Sequence, residues 1–162
     1  MPNSVAKPLS TPEKPMKAMA NNQANIKICS GQKTLEYQIC KANIFTDKYD
    51  ENAFEYYDVA RKLVEQTADD NMKGYVLSNT ADACVHFRKS DKALKYYAEA
   101  VKNYEKTNAT EEIAQNYKSA AELMIQFNSP NKAKSLLKKA MVNAVKTQNE
   151  DLISVVIFLF SI

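Results

Sequence analysis

The chain has 162 residues, of which 45% are hydrophobic and 25% are charged, as is usual for one soluble globular domain. Its formal net charge is +3, and the first thirty residues supply all of it with four lysines and one glutamate. The remainder holds 18 of the 22 basic and 18 of the 19 acidic residues, so it is neutral. A neutral body excludes the basic face of a nucleic-acid-binding protein, and two glycines are too few for an all-β protein with many turns.

The first segment, residues 1–30, contains four of the five prolines together with Asn, Ser, Thr and Lys. This composition predicts a flexible, basic, proline-rich tail. No apolar core of a signal peptide is visible there. The three cysteines, Cys29, Cys40 and Cys84, fit neither a disulfide framework nor a metal site, so we expect a reducing, cytoplasmic setting.

A helical pattern begins near Thr34, where apolar residues start to recur at intervals of three and four. Pro130 after Ser129 fits the first position of a capped helix. Loops of about three residues predict antiparallel neighbours. The predicted helices span roughly 34–47, 51–67, 71–88, 91–107, 111–127, 130–147 and 151–161.

The segments 51–90, 91–130 and 131–162 align without a gap at an offset of 40 residues. A fixed period of this size indicates stacked helical hairpins, none of which can bury its apolar face alone. Small and aromatic residues recur in register, and among them we assign Ala93, Ala100, Ala133, Ala140, Tyr57 and Tyr97 to packing between helices. The matching sets are Ala53, Ala93 and Ala133; Ala60, Ala100 and Ala140; Thr67, Thr107 and Thr147; and Tyr57, Tyr97 and Leu137.

The segment KALKYYAEAVKNYEK (92–106) resembles the second helix of a tetratricopeptide repeat, with Ala93, Tyr97 and Ala100 at its small, aromatic and small positions. Ala81 and Ala121 match the small position of the first helix, and Tyr37, Leu77 and Tyr117 stand at its tryptophan-like position. The longer period and the stretch 79–124 resemble the soluble NSF attachment protein (SNAP) family. The resemblance implies an all-α, right-handed solenoid of antiparallel hairpins over residues 31–162. It also implies attachment to SNARE bundles or to NSF, although the C-terminal bundle of that family has no counterpart here.

By tetratricopeptide geometry, the first helix of each hairpin lines a concave face that binds a partner. The residues predicted there are polar and of mixed charge: Gln38, Tyr75, Ser78, Asp82, His86, Gln115, Lys118, Glu122 and Gln126. A second surface is basic, because residues 128–149 carry five lysines and no acid. We expect it either to be a solvated helix face or to dock an acidic helical bundle or filament. The five residues are Lys132, Lys134, Lys138, Lys139 and Lys146.

The C-terminal run LISVVIFLFSI (152–162) is almost wholly apolar and too short to span a bilayer. A helix that is apolar on every side has to be covered. We expect a partner to cover it, with a truncated sequence as the alternative. The residues predicted for this contact are Val155, Val156, Phe158, Leu159 and Phe160.

No catalytic site is predicted. His86 is the only histidine and has no evident partner for acid–base chemistry or for binding zinc, and no glycine-rich phosphate loop is present. We therefore expect no cofactor and no metal. The sequence predicts a non-enzymatic cytoplasmic adaptor or scaffold, concerned with vesicle transport if the SNAP resemblance holds. Peripheral association with membranes is left open. The alternative is a structural subunit within a large cytoskeletal or axonemal assembly.

Overall fold

The structure is a computed structural model that describes residues 34–162, and in this part of the chain it is entirely helical. The predicted tail over 1–30 lies outside it. No helix boundary differs by more than two residues from the predicted one, which confirms the all-α class and the seven helices. The helices are α1 (Leu35–Asp47), α2 (Ala53–Glu65), α3 (Asp70–His86), α4 (Ser90–Thr107), α5 (Thr110–Gln126), α6 (Pro130–Thr147) and α7 (Glu150–Phe160).

Helix packing follows chain order. The broadest contacts join α3 to α4 and α5 to α6, and each helix also contacts the next one along the chain. Smaller contacts join helices two apart along the chain, as between α1 and α3 and between α5 and α7. The core is correspondingly divided into several apolar clusters along the chain.

The alanines in register at the 40-residue offset, with the larger residue between them, are buried in the core. Each of the alanines assigned to packing is buried, and so are Tyr57, Tyr97 and Leu137. Small residues let two helices approach closely, and the larger residue between them fills the remaining space. The packing role predicted for these positions is therefore confirmed.

Helix ends repeat as regularly as the core. Residues in the left-handed backbone region occur at Arg88, Asn108, Asn128 and Gln148, twenty residues apart. After Arg88, the amide N–H of Lys89 donates to the carbonyl of Cys84 at 2.7 Å, and equivalent bonds follow Asn108 and Asn128. This is the Schellman pattern of helix termination. One helix and its turn thus occupy twenty residues, and a pair of helices occupies forty.

The first pair of helices departs from this spacing by one residue. Its left-handed residue is Tyr49, which precedes Arg88 by 39 positions. Tyr49 lies four residues before Ala53, whereas Arg88 lies five before Ala93. Because this connection is one residue shorter, α1 aligns with α3 at an offset of 39 residues instead of 40. Gln38 rather than Tyr37 is therefore the counterpart of Leu77.

The threonines in register have one shared role at helix ends. The hydroxyls of Thr67, Thr107 and Thr147 donate to the backbone carbonyls three residues earlier, at 2.8, 3.1 and 2.7 Å. Two residues later, Asp69 accepts from the amide of Met72 at 2.9 Å, and Asn149 from that of Leu152 at 3.0 Å. These are N-caps of α3 and α7.

Ala109 occupies the same register position before α5 and makes no side-chain cap. We expect Ala109→Asn to raise the free energy of unfolding by about 1 kcal/mol, because it restores the missing cap bond. Asn149→Ala should lower it by a similar amount. Urea unfolding followed by circular dichroism measures both. If Ala109→Asn and the parent have equal free energies of unfolding, the backbone before α5 does not allow the new side chain to form a cap bond.

The cysteines differ from expectation at one position. Cys40 is disulfide-bonded, which corrects the expectation that the cysteines do not form disulfides. Cys84 is free and buried, and burial raises its pKa. Among the helices of residues 34–162, none is sufficiently long and apolar to cross a membrane.

Candidate functional site

A cleft of about 270 Å³ opens between α3 and α5, with α4 beneath it. It brings together Asp82, His86, Glu122 and Gln126, four of the residues predicted for the concave face. Helical spacing explains the arrangement, because residues four apart lie on one face of a helix. The remaining lining residues are Val85, Tyr97, Ser119 and Leu123.

The cleft is polar at its rim and carries two carboxylates. The Tyr97 hydroxyl donates to Oδ1 of Asp82 at 2.6 Å. Burial, followed by the charge of Asp82, holds the pKa of Tyr97 well above its usual range. Nζ of Lys118 lies 3.5 Å from Oε1 of Glu122. The neutral phenol therefore fixes one carboxylate, and a lysine at the edge partly balances the other.

His86 lies at one end of the cleft and is held by aromatic contacts. Its ring stacks on Tyr49 with the centroids 4.0 Å apart and meets Phe87 edge-on. Its Nε2 is buried and makes no hydrogen bond within residues 34–162. The same part of the chain contains no group of three or more His, Cys, Asp or Glu residues that could hold a metal.

The other residues predicted for the concave face are not part of the cleft lining. Tyr75 and Gln115 are exposed on α3 and α5. The Ser78 hydroxyl donates to Oδ1 of Asn116 at 2.9 Å and so ties the two helices together. Gln38 is only 8% exposed, and the shift of α1 makes it the counterpart of Leu77, which is half-buried against an internal apolar cluster. The structure therefore gives Gln38 a packing role instead of a place on the binding face.

Sequence reasoning missed four residues of the cleft. Tyr97 was assigned to packing alone, although its hydroxyl reaches the rim. Val85, Ser119 and Leu123 were not singled out. Each lies three or four residues from a predicted neighbour on the same helix, so helical spacing around Asp82 and Glu122 is the signal that could have found them.

The basic surface lies on α6, and all five of its predicted lysines are exposed. Within residues 34–162, none of the five takes part in an ion pair. Nζ of Lys139 lies 5.4 Å from the centroid of the Tyr117 ring. Beside this contact is a shallow hollow of about 340 Å³, lined by Tyr117, Lys138, Lys139, Val142 and Asn143.

The apolar C-terminal residues are divided between the two sides of α7. Val156 is fully buried, and Leu159 and Phe160 pack against the same internal cluster. The structure therefore gives Val156 a place in the chain's own core rather than in a partner contact. Val155 and Phe158 are exposed.

Compared with known proteins, the chain matches no family model, no curated protein and no solved structure. The resemblance to tetratricopeptide and SNAP proteins therefore stays a prediction from the sequence.

Proposed function

We propose that this protein is a non-enzymatic helical-repeat scaffold that binds a segment of another protein in the cleft between α3 and α5. The observation that carries the proposal is that four residues chosen for a binding face from the repeat pattern line one open cleft. Repeat folds of this type use continuous surfaces, built by successive units, to bind partners.

The architecture that we propose is a right-handed solenoid of antiparallel hairpins. Two in-register tyrosines support the hairpins: Tyr57 donates to Asn43, and Tyr97 donates to Asp82. Each bond joins the later half of one helix to the earlier half of the next, as antiparallel neighbours require. The restriction of contacts to helices one or two apart along the chain supports a row of units.

The chemistry of the cleft favours an extended segment that carries a basic side chain. Asp82 and Glu122 supply carboxylates, while Val85 and Leu123 supply apolar surface. Polar groups placed beside apolar surface fix the orientation of a bound segment. The proposed class of partner is therefore a protein with a basic segment.

A cleft-specific binding experiment tests the proposal. Partners captured from native cells by the intact chain are compared with those captured by the double variant Glu122→Lys and Gln126→Lys, with quantitative mass spectrometry. For one set of partners, we expect the amount captured by the variant to be about tenfold lower than the amount captured by the intact chain. This is the equivalent of about 1.4 kcal/mol of binding free energy. The matched control is Glu65→Lys with Gln66→Lys, which makes the same changes at exposed positions at the end of α2. Identical captured sets from the two variants would contradict binding in the cleft.

The SNAP resemblance supports a more specific proposal, which is a role in SNARE- or NSF-linked vesicle transport in the cytoplasm.

The second candidate is a structural subunit of a large intracellular assembly. The apolar residues exposed near the C-terminal end favour it, since Val142, Val145, Ile157 and Phe158 are each more than half exposed. Capture of purified SNARE bundles or NSF by the intact chain supports the first candidate, and capture of neither favours the second.

A further inference from the structure

The outward side of the second helix in each pair changes its chemistry along the chain. Exposed charges occur at two positions three residues apart on α2 and on α4: Lys62 and Glu65, and Lys102 and Glu105. Their counterparts on α6 are Val142 and Val145, which are 59% and 56% exposed. These positions remain exposed on α4, although a further pair of helices, α5 and α6, follows it. They therefore lie outside the surfaces through which one pair stacks on the next.

The three helices that carry these positions lie next to one another. The guanidinium carbon of Arg61 on α2 lies 5.0 Å from the ring centroid of Tyr96 on α4, and Nη1 of Arg61 donates to the Tyr96 hydroxyl at 2.5 Å. Leu94 on α4 lines a hollow together with Leu136 on α6. In the proposed row of hairpins, α2, α4 and α6 form one layer, and their exposed residues form its outer face.

The two ends of this outer face have opposite charge. The exposed residues of α2 include three acids and one lysine, whereas those of α6 include five lysines and no acid. Helix α4 between them carries exposed charges of both signs. Within residues 34–162, Glu55 and Glu65 of α2 take no part in an ion pair, and neither do the lysines of α6. The acidic end and the basic end of the outer face are therefore complementary to each other.

We propose that two copies of this chain associate through the outer face, related by a twofold axis that runs parallel to the helices. This rotation keeps the direction of each helix and reverses the order of the helices, so that α2 of each copy lies on α6 of the other. Equivalent positions of the repeat then lie at the same level along the axis. Glu65 comes beside Lys146 of the other copy, and Glu55 lies within one helical turn of Lys138. Twofold contacts of this kind are the commonest in homo-oligomers.

The apolar residues of the outer face fall inside the same contact. Val59 on α2 is 42% exposed, and it lies within one helical turn of the level of Val142 in the other copy. The methylene stem of Lys62 lies level with Val142 and covers it while its ammonium group stays in water. The contact thus covers the valines that replace charged residues on α6.

Other occupants fit the outer face less well. A twofold axis perpendicular to the helices would place α6 on α6, and lysines of the same sign would meet. Residues 1–33 carry five lysines and one acid, so the basic end repels them. A further pair of helices stacked in the same row leaves the outer face exposed, as α5 and α6 leave that of α4. The inference depends on the proposed row of hairpins, and it concerns a surface other than the cleft.

Matched charge reversals in the purified chain test the proposal by sedimentation equilibrium. One variant carries Lys138→Glu and Lys146→Glu, which sets acids against the acids of α2. The other carries Glu55→Lys and Glu65→Lys, which sets lysines against the lysines of α6. We expect the dissociation constant of the dimer to rise by about tenfold in each variant alone. An equimolar mixture of the two should regain the affinity of the parent, because acids then face lysines in both contacts.

The control is Lys48→Glu with Arg88→Glu, which makes the same change of charge at exposed residues after α1 and α3 and should leave the dissociation constant unchanged. Val142→Lys with Val145→Glu restores the charged pattern of α2 and α4, so it should weaken the dimer without lowering the melting temperature. A parent that remains monomeric at about 1 mM would overturn the proposal. So would a dissociation constant that both charge variants leave unchanged, because the dimer would then use another surface. Neither result bears on binding in the cleft.

Discussion

Gly74→Ala is expected to destabilise the protein, although alanine is the better helix former by about 1 kcal/mol. A Cβ atom on Gly74 would lie 2.8 Å from the ring of Tyr104, and Tyr104 is only 4% exposed. Overpacking of this kind costs about 1–3 kcal/mol, so after the gain in helix propensity we expect a net loss of up to about 2 kcal/mol in the free energy of unfolding. Urea unfolding measures it.

The repeat supplies the control for this prediction. At the equivalent position forty residues later, Ala114 and Ala144 belong to one cluster and both are fully buried. Tyr104→Ala alone should cost about 3–5 kcal/mol through the cavity it leaves. In that background Gly74→Ala should be stabilising by about 1 kcal/mol, because it recreates the two alanines found at the equivalent positions of α5 and α6. A gain from Gly74→Ala in both backgrounds would contradict the close approach of α3 to α4.

Stability is expected to fall steeply above pH 10. Burial raises the pKa of Tyr57 and of Tyr97 well above the usual tyrosine range. Below pH 10 both phenols are protonated in the folded and the unfolded chain, so they cause no pH dependence. Above pH 10 the unfolded chain loses these protons while the folded chain retains them, and each tyrosine then lowers the free energy of unfolding by about 1.4 kcal/mol per pH unit.

Single substitutions separate this effect from other alkaline effects. Tyr57→Phe and Tyr97→Phe should each reduce the slope above pH 10 by about 1.4 kcal/mol per pH unit. Burial also raises the pKa of Cys84, and Cys84→Ala accounts for its share of the slope. An unchanged slope in both phenylalanine variants would mean that these phenols ionise in the folded protein.

Much of the fold could be predicted from the sequence because helix periodicity and the 40-residue repeat point to the same elements. Ala93, Tyr97 and Ala100 recur at matched positions, and such agreement between local pattern and long-range spacing is a strong signal. Cap chemistry was less predictable. Ser129 was chosen as a cap and makes no such bond, whereas Asp69 and Asn149 do. Several polar residues lie near each helix start, and only the backbone geometry selects among them.

Two features of the candidate surfaces could not be predicted. The connection after Tyr49 is one residue shorter than its counterparts, which turned Gln38 inward, and helical spacing alone tolerates such a shift. In α7 nearly every residue is apolar, so the alternation of polar and apolar residues that normally marks the buried face of a helix is missing. The sequence therefore does not separate buried Val156 from exposed Phe158. Only the packing of α7 on α5 and α6 makes that choice.

Removal of one complete 40-residue repeat tests the repeat architecture most directly. A chain without residues 91–130 joins residue 90 to residue 131 in register, and α6 can then take the place of α4 against α3. We predict a helical chain that unfolds cooperatively in urea at a lower midpoint than the parent, as expected for a row of units. Removal of residues 91–126 breaks the register and should abolish the cooperative transition. If both deletions abolish it, or if neither does, the chain is not a row of interchangeable hairpins.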